Sequence, residues 1–252
     1  MKMRIDSPTP AHISLLRCLW QEAFGDSDAF LDGFFDTAFS PDRCLCVFEN
    51  EIAAAVYWFD CRFAGRKIAY LYALATKKSH RGRGIARALM EETVARLQKT
   101  GYAGALLVPG APELFAMYEK MGFAHPLTVD TFEAAAGNTP IALRSVTPEA
   151  YGAIRKRLLP AGAVVQEEQN LRFLSRCARL YAGEDWLLAA NLEDGALTAM
   201  EFLGDRSAAP AVLAALGAKT GTFRTPGQAQ VFALYRPITD AHAPTYFALA
   251  FD

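Results

Sequence analysis

The segment from residue 68 to residue 123 restricts the possible folds of this chain more than any other. Residues 68–76 are apolar on both alternating faces, which is typical of a central strand covered on each side. A polar loop with two glycines follows, and residues 85–100 then place apolar side chains at helical spacing before Gly101. Residues 103–108 form a second buried strand. This order predicts two adjacent parallel strands and therefore an α/β fold.

The elements on either side fit the same sheet. Thr9 and Pro10 begin a first helix, and residues 28–39 form an aromatic-rich second one. Residues 44–63 alternate in the manner of a β-hairpin with a turn at Glu49 and Asn50. A further helix is predicted over residues 113–121, after the second parallel strand. The sheet is therefore expected to be mixed, with helices on its faces.

The pattern breaks at residues 137–140, which bring together a glycine, an asparagine and a proline. Beyond the break, a strand runs into a Thr-Pro helix start at Thr147, as one does at Thr9, and residues 186–203 form another hairpin. We therefore predict a diverged duplication, with an unrelated α/β domain as the alternative. The predicted domains are residues 1–137 and 138–252.

Composition excludes several classes of function. The 26 Lys and Arg residues nearly balance the 27 Asp and Glu residues, which argues against a nucleic-acid or anionic-membrane binder. The five cysteines are odd in number and scattered, so no disulfide framework is expected, and Cys44 and Cys46 are predicted to pack in the core. The four histidines have no metal-ligand spacing, so no metal is expected. The first ten residues do not resemble a secretory signal, and a cytoplasmic location is expected.

The polar loop between the parallel strands has the composition of an anion site. Glycines let the backbone approach a ligand, and the first turn of a helix offers unpaired N–H groups at its positive end. Such a place binds phosphate groups, and a solvated glycine turn is the alternative. The P-loop pattern is absent, and a dinucleotide fingerprint lacks its third small residue at Arg87. The loop and the helix start also carry five cations: Lys77, Lys78, Arg81, Arg83 and Arg87.

Two motifs in order resemble a known family. Arg81-x-x-Gly84-x-Ala86 is similar to the Q/R-x-x-G-x-G/A motif of the GCN5-related N-acetyltransferase (GNAT) superfamily. Residues 114–123 resemble the family's closing Y-E-K-x-G-F helix, with Tyr118 as its tyrosine. The resemblance covers about residues 2–135 and implies the GNAT fold, followed by a second, diverged GNAT-like α/β domain.

The resemblance also implies a co-substrate and a set of site residues. The co-substrate is acetyl-CoA or another acyl-CoA, and no metal is implied. Tyr118 is the implied catalytic acid, although its helical spacing with Leu114 and Met121 also suits a core residue. An N–H group near Leu74 would polarise the thioester carbonyl. The implied cofactor-binding residues are Leu74, Ala75, Thr76, Arg81, Gly82, Arg83, Gly84, Ile85 and Ala86.

The sequence departs from the family pattern in two places. The family often has an asparagine shortly before the tyrosine, but residues 110–112 read Gly-Ala-Pro. It also often has a glutamate on the fourth strand, and residues 70–75 contain no acid. The general base is therefore unassigned, with Glu49, Glu51 and Asp60 as candidates by location and water as another.

The layout of the whole chain suggests one more candidate. An acetyltransferase half followed by a degenerate copy loosely resembles the enhanced-intracellular-survival acetyltransferases. In that group the C-terminal carboxylate reaches the active site, a role that Asp252 would have here. A plain final sheet strand over residues 246–252 is the alternative. The second half lacks the glycine loop at residues 202–207 and is not expected to bind CoA.

These observations together predict an acyl-CoA-dependent N-acetyltransferase. It would move an acetyl group to a primary amine of a small molecule or peptide by direct attack. The alternative is a non-catalytic acyl-CoA-binding or regulatory protein of the same fold. No nucleic acid or membrane partner is expected, and a homo-oligomer is possible.

Overall fold

The structure, a computed structural model, describes residues 3–239 and 242–251. The chain forms two compact units. The first contains Met1–His125 and Leu234–Ala243, and the second contains Pro126–Ala233 and Pro244–Asp252. Each unit thus combines two separate stretches of chain, whereas the sequence suggested continuous domains at residues 1–137 and 138–252. Those domain ranges stay a prediction.

The secondary structure alternates helices and strands along the whole chain. The strands are β1 (Arg4–Asp6), β2 (Cys44–Phe48), β3 (Ile52–Phe63), β4 (Arg66–Thr76), β5 (Gly104–Leu107), β6 (His125–Ala135), β7 (Arg144–Ser145), β8 (Val165–Gln166), β9 (Arg179–Ala182), β10 (Leu187–Glu193), β11 (Ala196–Leu203), β12 (Thr220–Pro226) and β13 (Gln230–Pro237). The helices are α1 (Ile13–Phe24), α2 (Asp28–Thr37), α3 (Ile85–Lys99), α4 (Pro112–Glu119), α5 (Pro148–Leu158), α6 (Glu168–Cys177) and α7 (Ala209–Leu216). Within the described residues, none of these helices has both the length and the apolar composition needed to cross a bilayer.

The first unit is built on a mixed sheet. Its strand order is β1-β2-β3-β4-β5, and Leu234–Pro237 of β13 then pair antiparallel with β5. Strands β4 and β5 run parallel, with α3 as the crossover between them, and the other neighbours are antiparallel. The two adjacent parallel strands predicted from the sequence are therefore confirmed.

Each face of this sheet has its own core. On one face, α3 packs Leu89 and Leu97 against Val56 and Leu71 of the strands, all of them buried. The other face is aromatic: the ring of Trp20 in α1 lies 5.1 Å from that of Tyr57 and 4.6 Å from that of Phe34 in α2. Edge-to-face and tilted pairs of this kind add stability beyond their buried area.

Cys44 and Cys46 are core residues, as the alternation of β2 predicts. Both side chains are fully buried, and their sulfur atoms lie 3.8 Å apart as free thiols. Burial raises the pKa of the Cys44 thiol well above its usual value. A buried, protonated thiol packs as a small apolar group.

The second unit repeats the architecture. Its strand order is β6-β12-β11-β10-β9-β7, with β11 and β12 parallel and α7 between them in sequence. Phe202 and Phe223 of the sheet pack with Val212 and Leu213 of α7 in a buried core. Two α/β units with mixed sheets confirm the predicted fold class.

The expected final strand is absent from the described C-terminal residues. Residues 246–251 are buried, but only Tyr246 bridges another segment, opposite Ala163. Side chains hold the rest of the segment instead: Gln166 donates to the Leu249 carbonyl and Arg224 to the Ala248 carbonyl, each at 2.9 Å. A strand reading of this apolar run is therefore wrong, because side-chain donors satisfy carbonyls that a ladder would otherwise pair. Asp252 lies outside the described residues.

Candidate active site

Strand β4 contains a bulge near its carboxyl end. Ala55 lies opposite Ala75 and Tyr57 opposite Tyr72, so the single residue between them on β3 faces two residues of β4. One of those two, Ala73, has φ +49°, a left-handed conformation that non-glycine residues seldom adopt. A bulge of this kind turns the following backbone groups away from the regular ladder.

Beyond the bulge, β4 separates from its parallel neighbour. The last β4–β5 pair is Leu71 opposite Leu107, while β4 continues to Thr76. Leu74, Ala75 and Thr76 therefore have no β5 residue opposite them, and their backbone groups on that side form an open edge. Within the described part of the chain, the buried hydroxyl of Thr76 also has no hydrogen-bond partner. An open edge of this kind accepts an extended ligand as an additional strand.

The glycine loop begins where this open edge ends. Gly82 and Gly84 both have φ +76°, and a Cβ atom at either position would meet only open space. Gly84 is the N-cap of α3 and supplies no capping side chain. The first N–H groups of α3 are therefore available at the positive end of a 15-residue helix. This loop has the form of an anion-binding concavity.

The remaining predicted cofactor residues lie at the same place. The exposed Arg81 donates from Nε to the carbonyl of Thr76 at 3.1 Å, which ties the loop to the end of β4. Ile85 is buried under the first turn of α3, and Ala86 beside it is half-buried. The structure thus brings Arg81, Gly82, Arg83, Gly84, Ile85 and Ala86 together with the end of β4.

Three carboxylates from other elements hold the loop. Glu49 contacts two loop residues, Arg83 at 2.8 Å and His80 at 3.4 Å. Glu51 pairs with Lys77. A third carboxylate, that of Glu22 in α1, accepts the backbone N–H of Lys78 at 2.6 Å. These contacts cannot be read from the sequence, because each joins residues far apart in the chain.

Tyr118 of α4 is both a packed ring and an available hydroxyl. The residue is 8% exposed, and its ring meets that of Phe123 edge-on at 6.4 Å. Burial raises the pKa of Tyr118 to about 12. Among the described residues its hydroxyl has no hydrogen-bond partner, yet the oxygen is not enclosed by protein. The phenol is therefore protonated at neutral pH, and its oxygen is free to form a hydrogen bond.

Comparison with known proteins decides the family. The model of the acetyltransferase (GNAT) domain family matches residues 4–125. These residues belong to the GNAT superfamily. The resemblance and the classification as a GNAT-type acetyltransferase are confirmed, and acyl transfer is the chemistry of that family. A search of curated protein sequences found no match.

Solved structures show the same fold over almost the whole chain. A GCN5-related N-acetyltransferase from Kribbella flavida is 18% identical, with 94% of this chain and 71% of that chain covered and a TM-score of 0.69. One from Anabaena variabilis is 14% identical, with 95% and 73% covered and a TM-score of 0.71. Eis1 from Mycobacterium abscessus is 14% identical, with 94% and 74% covered and a TM-score of 0.67. The folds of both units are thus found in other proteins.

The candidate bases of the GNAT domain all have partners elsewhere. Glu49 and Glu51 are engaged with the loop cations. Asp60 accepts a hydrogen bond from the Tyr102 hydroxyl and lies 3.2 Å from Lys67. Asp60 pairs with Ala69, which precedes the bulge at Ala73 by four residues. The distance along the strand from Ala69 to the bulge is about 13 Å. None of the three carboxylates therefore lies beside the bulge by its pairing, and the role of Asp252 falls outside the described residues.

No metal centre is evident in the part of the chain that the structure describes. Within residues 3–239 and 242–251, no three His, Cys, Asp or Glu side chains lie close enough to share an ion.

The bulge at Ala73 is a feature of the site that the sequence does not predict. Alanine has no preference for positive φ, so its identity carries no signal of the bulge.

Proposed function

We propose that this protein transfers an acetyl group from acetyl-CoA to a primary amine by direct attack of the amine on the thioester. The observation that carries the proposal is the continuity of two features. The open, bulged edge of β4 leads directly into a loop with two left-handed glycines and an uncapped helix start. An extended chain ending in a diphosphate matches an edge followed by an anion-binding loop.

The loop would bind the diphosphate of the donor. The N–H groups of residues 83–86 lie at the positive end of α3, and the Arg81 side chain adds charge next to them. Leu74, Ala75 and Thr76 would hold the pantetheine arm through their open backbone groups.

The bulge would supply the transition-state contact. When the amine attacks the carbonyl carbon, negative charge moves to the carbonyl oxygen. An N–H group of Leu74, released from the ladder by the bulge, would donate to that oxygen. Removal of one such donor typically lowers turnover by about 10²–10³-fold.

Tyr118 would act as the acid. As the carbon–sulfur bond breaks, its phenol donates a proton to the departing sulfur, and the amine loses one proton to water or to a base not yet assigned. Burial keeps the phenol protonated at neutral pH, so the proton is present when it is needed.

The test is release of free thiol from acetyl-CoA in the presence of a panel of primary amines. We expect release that depends on both the protein and an amine, and thermal stabilisation by CoA of about 2.7 kcal/mol at a hundredfold excess over Kd. Acetyl-CoA without an amine is the control for hydrolysis. Stabilisation without thiol release from any amine would contradict the proposed transfer, and no CoA-dependent shift would contradict the proposed donor.

A further inference from the structure

Glu49 contacts the glycine loop, residues 77–84, from a different part of the chain. The turn between β2 and β3 lies beside the loop, since the N–H of Lys77 donates to the Ala53 carbonyl at 2.9 Å. From this turn, Oε1 of Glu49 meets Arg83 at 2.8 Å and Oε2 meets His80 at 3.4 Å. The Glu49 side chain is 18% exposed, so both carboxylate oxygens are committed to the loop.

Arg83 is the residue through which this contact acts on the backbone. It stands between Gly82 and Gly84, both left-handed, and is the only one of the three with a side chain. Glycine loses more backbone freedom on ordering than any other residue, and ordering a residue costs about 1–2 kcal/mol. The ion pair at Arg83 is therefore the side-chain contact that holds the residue between the two glycines.

Two effects of Glu49 on donor binding oppose each other. Its negative charge repels a diphosphate, whereas its hold on Arg83 keeps the loop in one conformation. The guanidinium of Arg83 already compensates this charge at 2.8 Å, and charges near the surface are screened. The ordering effect has no such compensation, because no other side chain lies between the two glycines.

We propose that Glu49 is a positioning residue for the donor diphosphate. It holds Arg83 so that the N–H groups around Gly84 converge before the donor arrives. The inference rests on the proposed function, because it needs acetyl-CoA as the donor.

The test compares Glu49→Gln with Glu91→Gln. Glu91 pairs with Arg87 at 3.1 Å on the exposed face of α3, so its variant also removes one carboxylate from a cation near the loop but leaves the glycine stretch alone. We expect Glu49→Gln to raise KM for acetyl-CoA roughly three- to tenfold, with kcat and the acceptor KM unchanged. Glu91→Gln should change the donor KM less than about twofold.

A truncated donor separates positioning from a general structural effect. S-acetyl-N-acetylcysteamine carries the thioester without the diphosphate, so Glu49→Gln should use it as well as the wild type does. Arg83→Ala should raise the acetyl-CoA KM in the same way, and the double variant should be no worse than Arg83→Ala alone. Glu49→Asp, which keeps the charge on a shorter stem, should lie between the wild type and Glu49→Gln.

Three results would overturn the inference. They are an unchanged or lower acetyl-CoA KM in Glu49→Gln, an equal loss with the truncated donor, and full additivity with Arg83→Ala. If Glu49→Gln does not fold, the Glu49→Asp and Arg83→Ala variants decide by the same criteria. A wild-type protein that binds no CoA in a calorimetric titration would instead contradict the proposed function itself.

Discussion

The two units contain the same strand–helix–strand segment, β4–α3–β5 in the first and β11–α7–β12 in the second. In both, the parallel pairing stops before the first strand ends, at Leu71 in β4 and at Ala199 in β11. In both, the first strand carries a bulge, at Ala73 in one unit and at Met200 in the other. The scaffold for an open edge is therefore present twice.

The loops that follow these strands differ in what fills them. Gly82 and Gly84 face open space, whereas a Cβ atom at Gly204 would lie 2.7 Å from the Asp185 carbonyl oxygen. Asp205 then accepts the N–H of Ser207 at 2.9 Å, a bond that lowers the pKa of its carboxyl. In the second unit, its own carboxylate thus caps the short 3-10 turn Arg206–Ala208 that leads into α7, and that carboxylate would repel a phosphate.

The bulges also differ in their surroundings. Glu201, next to Met200, is fully buried and paired with Arg155 at 2.6 Å and 2.9 Å. It also accepts the hydroxyl of Tyr246 at 3.0 Å. The first unit has no charge on the corresponding stretch of β4. The fold therefore provides the edge, and local side chains decide whether a ligand can use it.

The tyrosine helix is a third difference and leads to the largest expected effect. Strands β12 and β13 are joined by a short turn, whereas α4 with Tyr118 follows β5. We expect Tyr118→Phe to lower kcat by about 10²–10⁴-fold with little change in CoA affinity, because the ring stays and only the proton donor is lost. Steady-state kinetics and a CoA titration measure the two quantities.

Tyr102 offers the matched control for this variant. It is another buried tyrosine of the first unit, but its hydroxyl donates to Asp60. Tyr102→Phe should lower stability by about 1 kcal/mol and leave kcat unchanged. If Tyr118→Phe keeps the turnover of the wild type, Tyr118 is a packing residue and not the catalytic acid.

The buried ion pair of the second unit gives the next effect. Glu201→Gln leaves the guanidinium of Arg155 buried without a counter-charge, and should lower the free energy of unfolding by about 3–5 kcal/mol. Urea denaturation measures this loss. The double variant Arg155→Met/Glu201→Leu should recover part of it, since two apolar groups replace both charges while the hydroxyls of Tyr151 and Tyr246 lose their acceptor. If Glu201→Gln lowers the free energy of unfolding only slightly, water must reach the guanidinium of Arg155, and the edge of β11 would then be open like that of β4.

The sequence predicts the elements of the first unit well, because their signals are local. The hairpin strands 44–48 and 52–63 and the start of α3 at Ile85 follow from alternation, turn residues and glycine. The aromatic helix ends at Thr37 rather than Phe39, since helix ends depend on contacts that a single sequence does not show.

The features that the sequence does not show depend on contacts between residues far apart in the chain. The bulge at Ala73 depends on the register of β3 against β4, and the C-terminal segment depends on distant donors such as Gln166 and Arg224. The family resemblance identifies the motif residues from Arg81 to Ala86, whereas only the structure shows the contact between Glu49 and Arg83.

A carboxylate at the helix start of the first unit should make it behave like the second. Gly84→Asp places a side chain such as that of Asp205 where Gly84 now leaves the N–H groups free. We expect CoA affinity to fall by about 100-fold, because like charges in a binding site cost several kcal/mol. Isothermal titration with CoA measures the change.

Gly84→Ala is the control for backbone strain at φ +76°. It adds a Cβ into open space without a charge, so its loss of affinity should be well below that of Gly84→Asp. Equal losses in the two variants would mean that glycine's conformation, and not the free helix start, distinguishes the two units.

The smallest expected effect concerns pH. The pKa of Tyr118 is raised to about 12 by burial, above the ordinary phenol value of about 10, so the acid form persists throughout the range in which an amine becomes neutral. The rate should therefore rise with pH as the amine loses its proton, and it should not fall between pH 9 and about 10.5 through ionisation of Tyr118. Profiles of kcat for the wild type and Tyr118→Phe should have the same shape over this range and differ only in height. A falling limb near pH 10 in the wild type, lost in Tyr118→Phe, would show that water reaches the phenol freely and that burial does not hold its proton.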